Sequence, residues 1–145
     1  METDFSRYAT LIDTVGVRDR CLVHLKYVPD DQVPQYYAAA DVVVLPYRRI
    51  YQSGVILLAM TYGRPVVVSD LAGMTEIVTD GVNGYVFTQG SKDELATVLI
   101  RALRDETGRR QVSMRASEYI RKHHDWNQIG AKTNHLYQSL LSEHD

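Results

Sequence analysis

One cysteine in 145 residues, Cys21, leaves no partner for an internal disulfide and no basis for a multi-cysteine metal site. Its apolar neighbours mark it as a small packing residue, and a reducing, cytoplasmic compartment is expected. Charge of either sign is nearly balanced: 16 Lys and Arg against 18 Asp and Glu give a net charge of -2, with no field to draw in nucleic acid. Nowhere do about eighteen apolar residues run together, so no membrane-spanning helix is expected. The acidic start Met1-Glu2-Thr3-Asp4-Phe5 does not read as a signal peptide. The histidines, at positions 24, 123, 124, 135 and 144, fall in no metal-ligand spacing. P-loop, nucleophile elbow and Gly-x-Gly-x-x-Gly are missing too, which removes support for kinase and hydrolase chemistry.

What is present is a chain long enough for one domain with a real core, burying roughly 68–70% of its unfolded surface. Phe5, Tyr8, Leu11 and Ile12 recur at helical spacing up to a glycine stop at Gly16. A strand is predicted at Cys21-Leu22-Val23-His24-Leu25, then a helix through Tyr36 and Tyr37 to Ala40, with Pro34 in its first turn. Val42-Val43-Val44-Leu45 and Pro65-Val66-Val67-Val68-Ser69 are apolar without alternation, which marks strands covered on both faces. Between them, Val55 to Met60 reads as a core helix. A short helix is predicted at Thr75 to Thr79, with Thr75 as cap and Glu76 in its first turn, and a last strand at Tyr85-Val86-Phe87. Ser91-Lys92-Asp93-Glu94 is a capping box opening a helix whose apolar face is Leu95, Val98, Leu99, Ala102 and Leu103. Two further helices, at about residues 109–123 and 127–142, form a helical tail. The alternation predicts an α/β fold with a parallel sheet flanked by helices, where ligands sit outside the carboxyl ends of the strands.

At that end of the Val42–Leu45 strand comes Pro46-Tyr47-Arg48-Arg49-Ile50-Tyr51-Gln52-Ser53-Gly54-Val55. Ser53 suits the N-cap of the following helix, whose first amides lack intrahelical partners and favour an anion. Gly54 lets a ligand approach the backbone, and Arg48 and Arg49 could bond a diphosphate. The residues alone leave two readings open: a phosphate cradle, or a cap on a buried helix with both arginines solvated.

Three ordered stretches carry a family resemblance: Tyr36 to Pro46, Ala59 to Asp70, and Gly73-Met74-Thr75-Glu76-Ile77-Val78 followed by Asp80-Gly81, Asn83-Gly84 and Tyr85-Val86-Phe87. Together with Trp126, Ile129, Tyr137 and Leu140-Leu141 in the tail, they resemble the donor-binding half of group 1 retaining glycosyltransferases of GT-B architecture. The resemblance implies one partial Rossmann-like domain over residues 1–145, binding a nucleotide sugar for transfer to an unknown acceptor with retention. It implies no metal and no cofactor beyond the donor substrate. Val28 would lie near the nucleotide base, and the Ser53, Gly54 and Val55 amides would face the donor phosphates or sugar; beside them Arg48 is a candidate for charge-assisted bonds and Gln52 for a substitute sugar contact.

Two departures stand out. Relatives usually carry two glutamates separated by seven residues, the second commonly holding the ribose; here those places are Ile50 and Leu58. The donor half also normally opens with two strands and a diphosphate-binding arginine and lysine, so the chain reads as truncated and inactive by itself. A missing N-terminal domain or subunit, or a homodimer formed through open strand edges, would complete it. The alternative is a non-catalytic nucleotide-binding, sugar-binding or interaction module.

Overall fold

The computed structural model describes residues 5–142. Those up to Asp30 form one compact unit and those from Asp31 another. The first unit holds helix α1 (Ser6–Thr14) and a single 3₁₀ turn, Arg18–Arg20. An exposed bidentate pair of Arg18 with Asp13, both contacts at 2.8 Å, ties the turn back to the helix.

The strand expected at residues 21–25 is not formed. Cys21 has extended backbone, but no residue of this stretch joins a ladder, Leu22 is 85% exposed, and Cys21 is exposed rather than packed. A strand exists only through its neighbour's hydrogen bonds, so β-favouring residues with nothing to pair with remain coil.

The second unit contains α2 (Val33–Ala39), β1 (Val43–Leu45), α3 (Gly54–Thr61), β2 (Val66–Ser69), α4 (Ala72–Thr75), β3 (Tyr85–Phe87), α5 (Lys92–Arg104), α6 (Glu106–His123) and α7 (Trp126–Ser142). The strands form one parallel sheet in the order β1-β2-β3, with Val43 opposite Val66 and Val67 opposite Tyr85. Central β2 is fully buried, as its unbroken apolar run requires. On one face, Leu45, Val66 and Val68 pack with Ile56, Ala59 and Met60 of α3 and with Ala116 of α6. On the other, Val67, Tyr85 and Phe87 pack with Val98 and Ala102 of α5. Each buried valine of β2 contributes about 1.5–3 kcal/mol.

Helix α3 packs its buried face, Ile56, Ala59 and Met60, between the sheet and α6, while Val55 and Leu58 stay exposed. Ser113 Oγ donates to the Gly63 carbonyl and Ser117 Oγ to that of Met60, at 3.3 Å. The helix ends on Gly63, at φ 65°, with Gly63 N–H bonding Met60 O and Arg64 N–H bonding Ala59 O, a Schellman arrangement. Ser91 caps α5 as expected, its Oγ accepting from the Glu94 N–H at 3.2 Å.

The short helix after β2 falls earlier than predicted. It runs from Ala72 with Leu71 at its N-cap, so Thr75 is its last residue and Glu76 its C-cap. Thr75 Oγ1 turns back to the Leu71 carbonyl at 3.3 Å and caps nothing, and Glu76 sits at the end of the dipole that does not favour it. The turn that follows is built by buried Asn83, which accepts from Thr79 N–H at 2.7 Å and donates to Ile77 O at 2.8 Å.

Candidate functional site at the carboxyl edge of the sheet

Parallel strands bring the ends Leu45, Ser69 and Phe87 to one edge, where three loops follow: residues 46–53, 70–71 and 88–90. The first is anchored by the other two. Fully buried Ser69 donates its Oγ to the Tyr47 carbonyl at 2.8 Å, and Gln89 Nε2 donates to the Arg48 carbonyl. Gln89 N–H in turn reaches Asp70 Oδ1 at 2.7 Å, and Asp70 N–H bonds Phe87 O at 2.9 Å. Tyr47 and Ile50 pack partly into the core. At the far end, Gly73 in α4 lies so close to the Tyr51 carbonyl that a Cβ there would overlap it. A loop of eight residues is thereby held against its neighbours along its length.

This anchoring delivers residues 52–55 to the start of α3. Ser53 occupies the N-cap with extended backbone (φ -135°, ψ 107°), as its residue type suggested. Its side chain does not cap: Oγ bonds no helix amide, is buried, and has no partner, while the residue is only 6% exposed. A buried hydroxyl without a partner leaves about 1–3 kcal/mol of desolvation unrecovered, an arrangement that calls for an explanation. The Gly54 and Val55 amides at the start of α3 also lack intrahelical acceptors, whereas Ile56 N–H bonds Ser53 O at 3.2 Å. Gly54 has no atom within 4 Å of where a Cβ would stand, so its backbone is open to a ligand. Gln52 and Val55 are exposed beside it.

Arg48 and Arg49 are exposed and pair with no carboxylate among the described residues. Asp70 is the one acid on the three loops, and the Gln89 amide engages it. The edge therefore combines free cations, unsatisfied helix amides and an orphaned hydroxyl, each of which favours a polyanion carrying hydroxyl groups.

The loop from Arg48 to Gln52 leads directly into Ser53, Gly54 and Val55, so these candidates form one constellation. Val28 belongs to the first unit, half-buried in coil before Asp30. Sequence reasoning missed Gln89 and Gly73 as supports of the loop. Their partners lie 41 residues away for Gln89 and in the loop carbonyl at Tyr51 for Gly73, with no local pattern to announce them. Among the described residues no three His, Cys, Asp or Glu side chains gather as a metal site, and no helix is long and apolar enough to cross a membrane.

Residues 3–105 match the family model described as glycosyl transferases group 1. The chain belongs to that family. An uncharacterized glycosyltransferase of Methanocaldococcus jannaschii is 33% identical over 129 residues, which cover 88% of this chain and 32% of that protein. HepE of Anabaena, in a crystal structure with UDP, superposes with a TM-score of 0.81 at 26% identity, covering 92% of this chain and 36% of HepE. The C-terminal domain of the group 1 glycosyltransferase LpcC of Francisella tularensis gives a TM-score of 0.77 at 19% identity, covering 86% of this chain and 65% of that domain's chain. That last likeness speaks for fold alone: a parallel sheet flanked by helices, with a helical tail, as in C-terminal domains of GT-B enzymes. The chain spans about a third of the length of the curated relatives it matches.

Proposed function

We propose that residues 31–142 carry the nucleotide-sugar site of a glycosyltransferase, in which a sugar passes from a nucleoside diphosphate to an acceptor with retention of anomeric configuration. The observation that carries this reading is the open start of α3, where buried Ser53 Oγ has no partner beside an unobstructed Gly54 backbone. On this reading the Gly54 and Val55 amides receive a donor phosphate, and the helix dipole adds favourable potential. Ser53 Oγ bonds a phosphate or sugar oxygen, Arg48 neutralises charge from the loop, and Gln52 offers its amide to sugar hydroxyls. HepE, a relative by fold and sequence, is crystallised with UDP, which supports a uridine or related diphosphate as the probe to try first.

The retaining outcome and the acceptor belong to the whole enzyme, of which the chain represents one partial Rossmann-like domain. β1 is an edge of the sheet among the described residues, which supports its association with further sheet-forming polypeptide. The lone, exposed Cys21 supports a cytoplasmic setting. Calorimetric titration of the chain with UDP and GDP tests the site, with Ser53→Trp as a blocking variant. Saturable binding abolished by the tryptophan is the expected result; binding unchanged by it places the nucleotide elsewhere.

A further inference from the structure

Resting on that reading, the inference concerns what holds the loop of residues 46–53 in place against the start of α3. Residues 88–90, after β3, form a loop whose own backbone is fixed residue by residue. Thr88 N–H bonds Glu94 Oε2 at 3.0 Å, and Gln89 N–H bonds Asp70 Oδ1 at 2.7 Å. Gly90 turns at φ 78°, a conformation open to glycine, and Ser91 N–H closes the turn on Thr88 O at 3.0 Å. With the Ser91 amide so engaged, Glu94 of the α5 capping box reaches past it to Thr88. From this rigid base the Gln89 side chain crosses to the neighbouring loop and donates its Nε2 to the Arg48 carbonyl.

Gln89 is exposed, so this bond competes with water, and fixing a long polar side chain in one rotamer costs conformational entropy. The core does not require it: Tyr47 and Ile50 pack, and the Ser69 bond to the Tyr47 carbonyl fixes the buried part of the loop. What the bond adds is the position of the Arg48 peptide, from which Arg48 and Gln52 reach a ligand held at the Gly54 amide. We propose that Gln89 is a positioning residue for the nucleotide sugar: without touching the ligand, its amide holds residues 48–52 in the conformation that binds, from a base that Asp70 and Glu94 set. Apparent affinity scales with the fraction of molecules whose loop is binding-competent. Loss of the bond therefore divides its equilibrium factor, about five- to tenfold, between weaker binding and a more open loop.

The full chain is titrated with UDP and GDP, and whichever binds is titrated into Gln89→Met, which keeps the side chain's length without its donor, and into Gln89→Glu. The exposure of Gln89 lets both variants fold, and cooperative denaturation checks it. In Gln89→Met the expected result is affinity about two- to fivefold weaker, with tryptic cleavage after Arg48 and Arg49 of the ligand-free chain accelerated about twofold or more. A carboxylate only accepts, so Gln89→Glu should bind as weakly as Gln89→Met at pH 8, whereas its protonated form can donate to the Arg48 carbonyl. That carbonyl, with Asp70 and Glu94 on the same loop, raises the proton affinity of the introduced carboxyl, against the pull of Arg48 and Arg49. Affinity relative to the native chain at the same pH should accordingly recover as pH falls from 8 to 4.5, and a flat ratio overturns the inference. A loss of less than twofold in Gln89→Met overturns it and leaves the donor reading standing. Weakened binding with unaccelerated cleavage also overturns it, because Gln89 would then touch the ligand. No binding of either nucleotide by the native chain overturns the donor reading, and this inference with it.

Discussion

Replacing Ser53 by alanine should stabilise the ligand-free chain, the opposite of what removing an N-cap serine ordinarily does. A capping serine lost to alanine costs about 0.5–2 kcal/mol because its oxygen accepts from an orphan helix amide. Here that bond is absent, so nothing of that kind is lost. The hydroxyl is instead buried without a partner in a residue 6% exposed, and its removal relieves part of a desolvation cost of about 1–3 kcal/mol. A net gain of about 1 kcal/mol follows, which at a urea dependence of about 1–3 kcal/mol/M moves the midpoint upward by about 0.3–1 M. Urea unfolding followed by circular dichroism reads this directly. With UDP present, the same substitution should weaken binding about five- to tenfold, since the oxygen would then have been engaged. A midpoint that falls by a comparable amount in the ligand-free chain would refute the reasoning, because it would mean that Ser53 caps α3 in solution.

Gly73→Ala forces the Tyr51 carbonyl away from α4 and should cost about 1–3 kcal/mol by overpacking; UDP titration should show weakened binding as residues 46–53 lose their rest against α4. Asn83→Ala removes the buried side chain that bonds Thr79 N–H and Ile77 O across a turn whose other residues are largely exposed, and should lower stability by about 1–2 kcal/mol in chemical denaturation, without touching nucleotide affinity. The Tyr85 phenol is held above its ordinary value of 10.0 by burial first and then by Asp105, against the opposing pull of Arg101 and Arg109. The folded chain thus holds this proton more tightly than the unfolded one. Its contribution is intact below about pH 10 and lost as pH rises through the folded value, so Tyr85→Phe should flatten the alkaline limb of a stability profile followed by denaturant titration.

The features legible in the residues are those whose cause is local or periodic. Val66 to Val68 announce a strand buried on both faces, the Ser91 box opens α5, and Ser53 takes the N-cap position of α3 that its residue type suggests, though without the cap bond. Residues 21–25 show the limit of that reasoning. Their composition suits a strand, but pairing is a property of a neighbour, and without one they stay coil. Thr75 and Glu76 erred for a related reason: several residues after β2 could open a short helix, and the packing of Gly73 against Tyr51 and of Met74 in the core settles it on Ala72.

Sequence alone therefore determined the α/β alternation, the family and the place where α3 opens, because helix ends and apolar runs express themselves over a few residues. Tertiary structure decided that Ser53 has no cap bond, that Gln89, Ser69 and Gly73 hold the loop, and that Leu58 opens onto a groove walled by α6 and α7. Each of these depends on which distant groups come within hydrogen-bonding or packing distance, and that is settled only when the sheet and its helices close around one core.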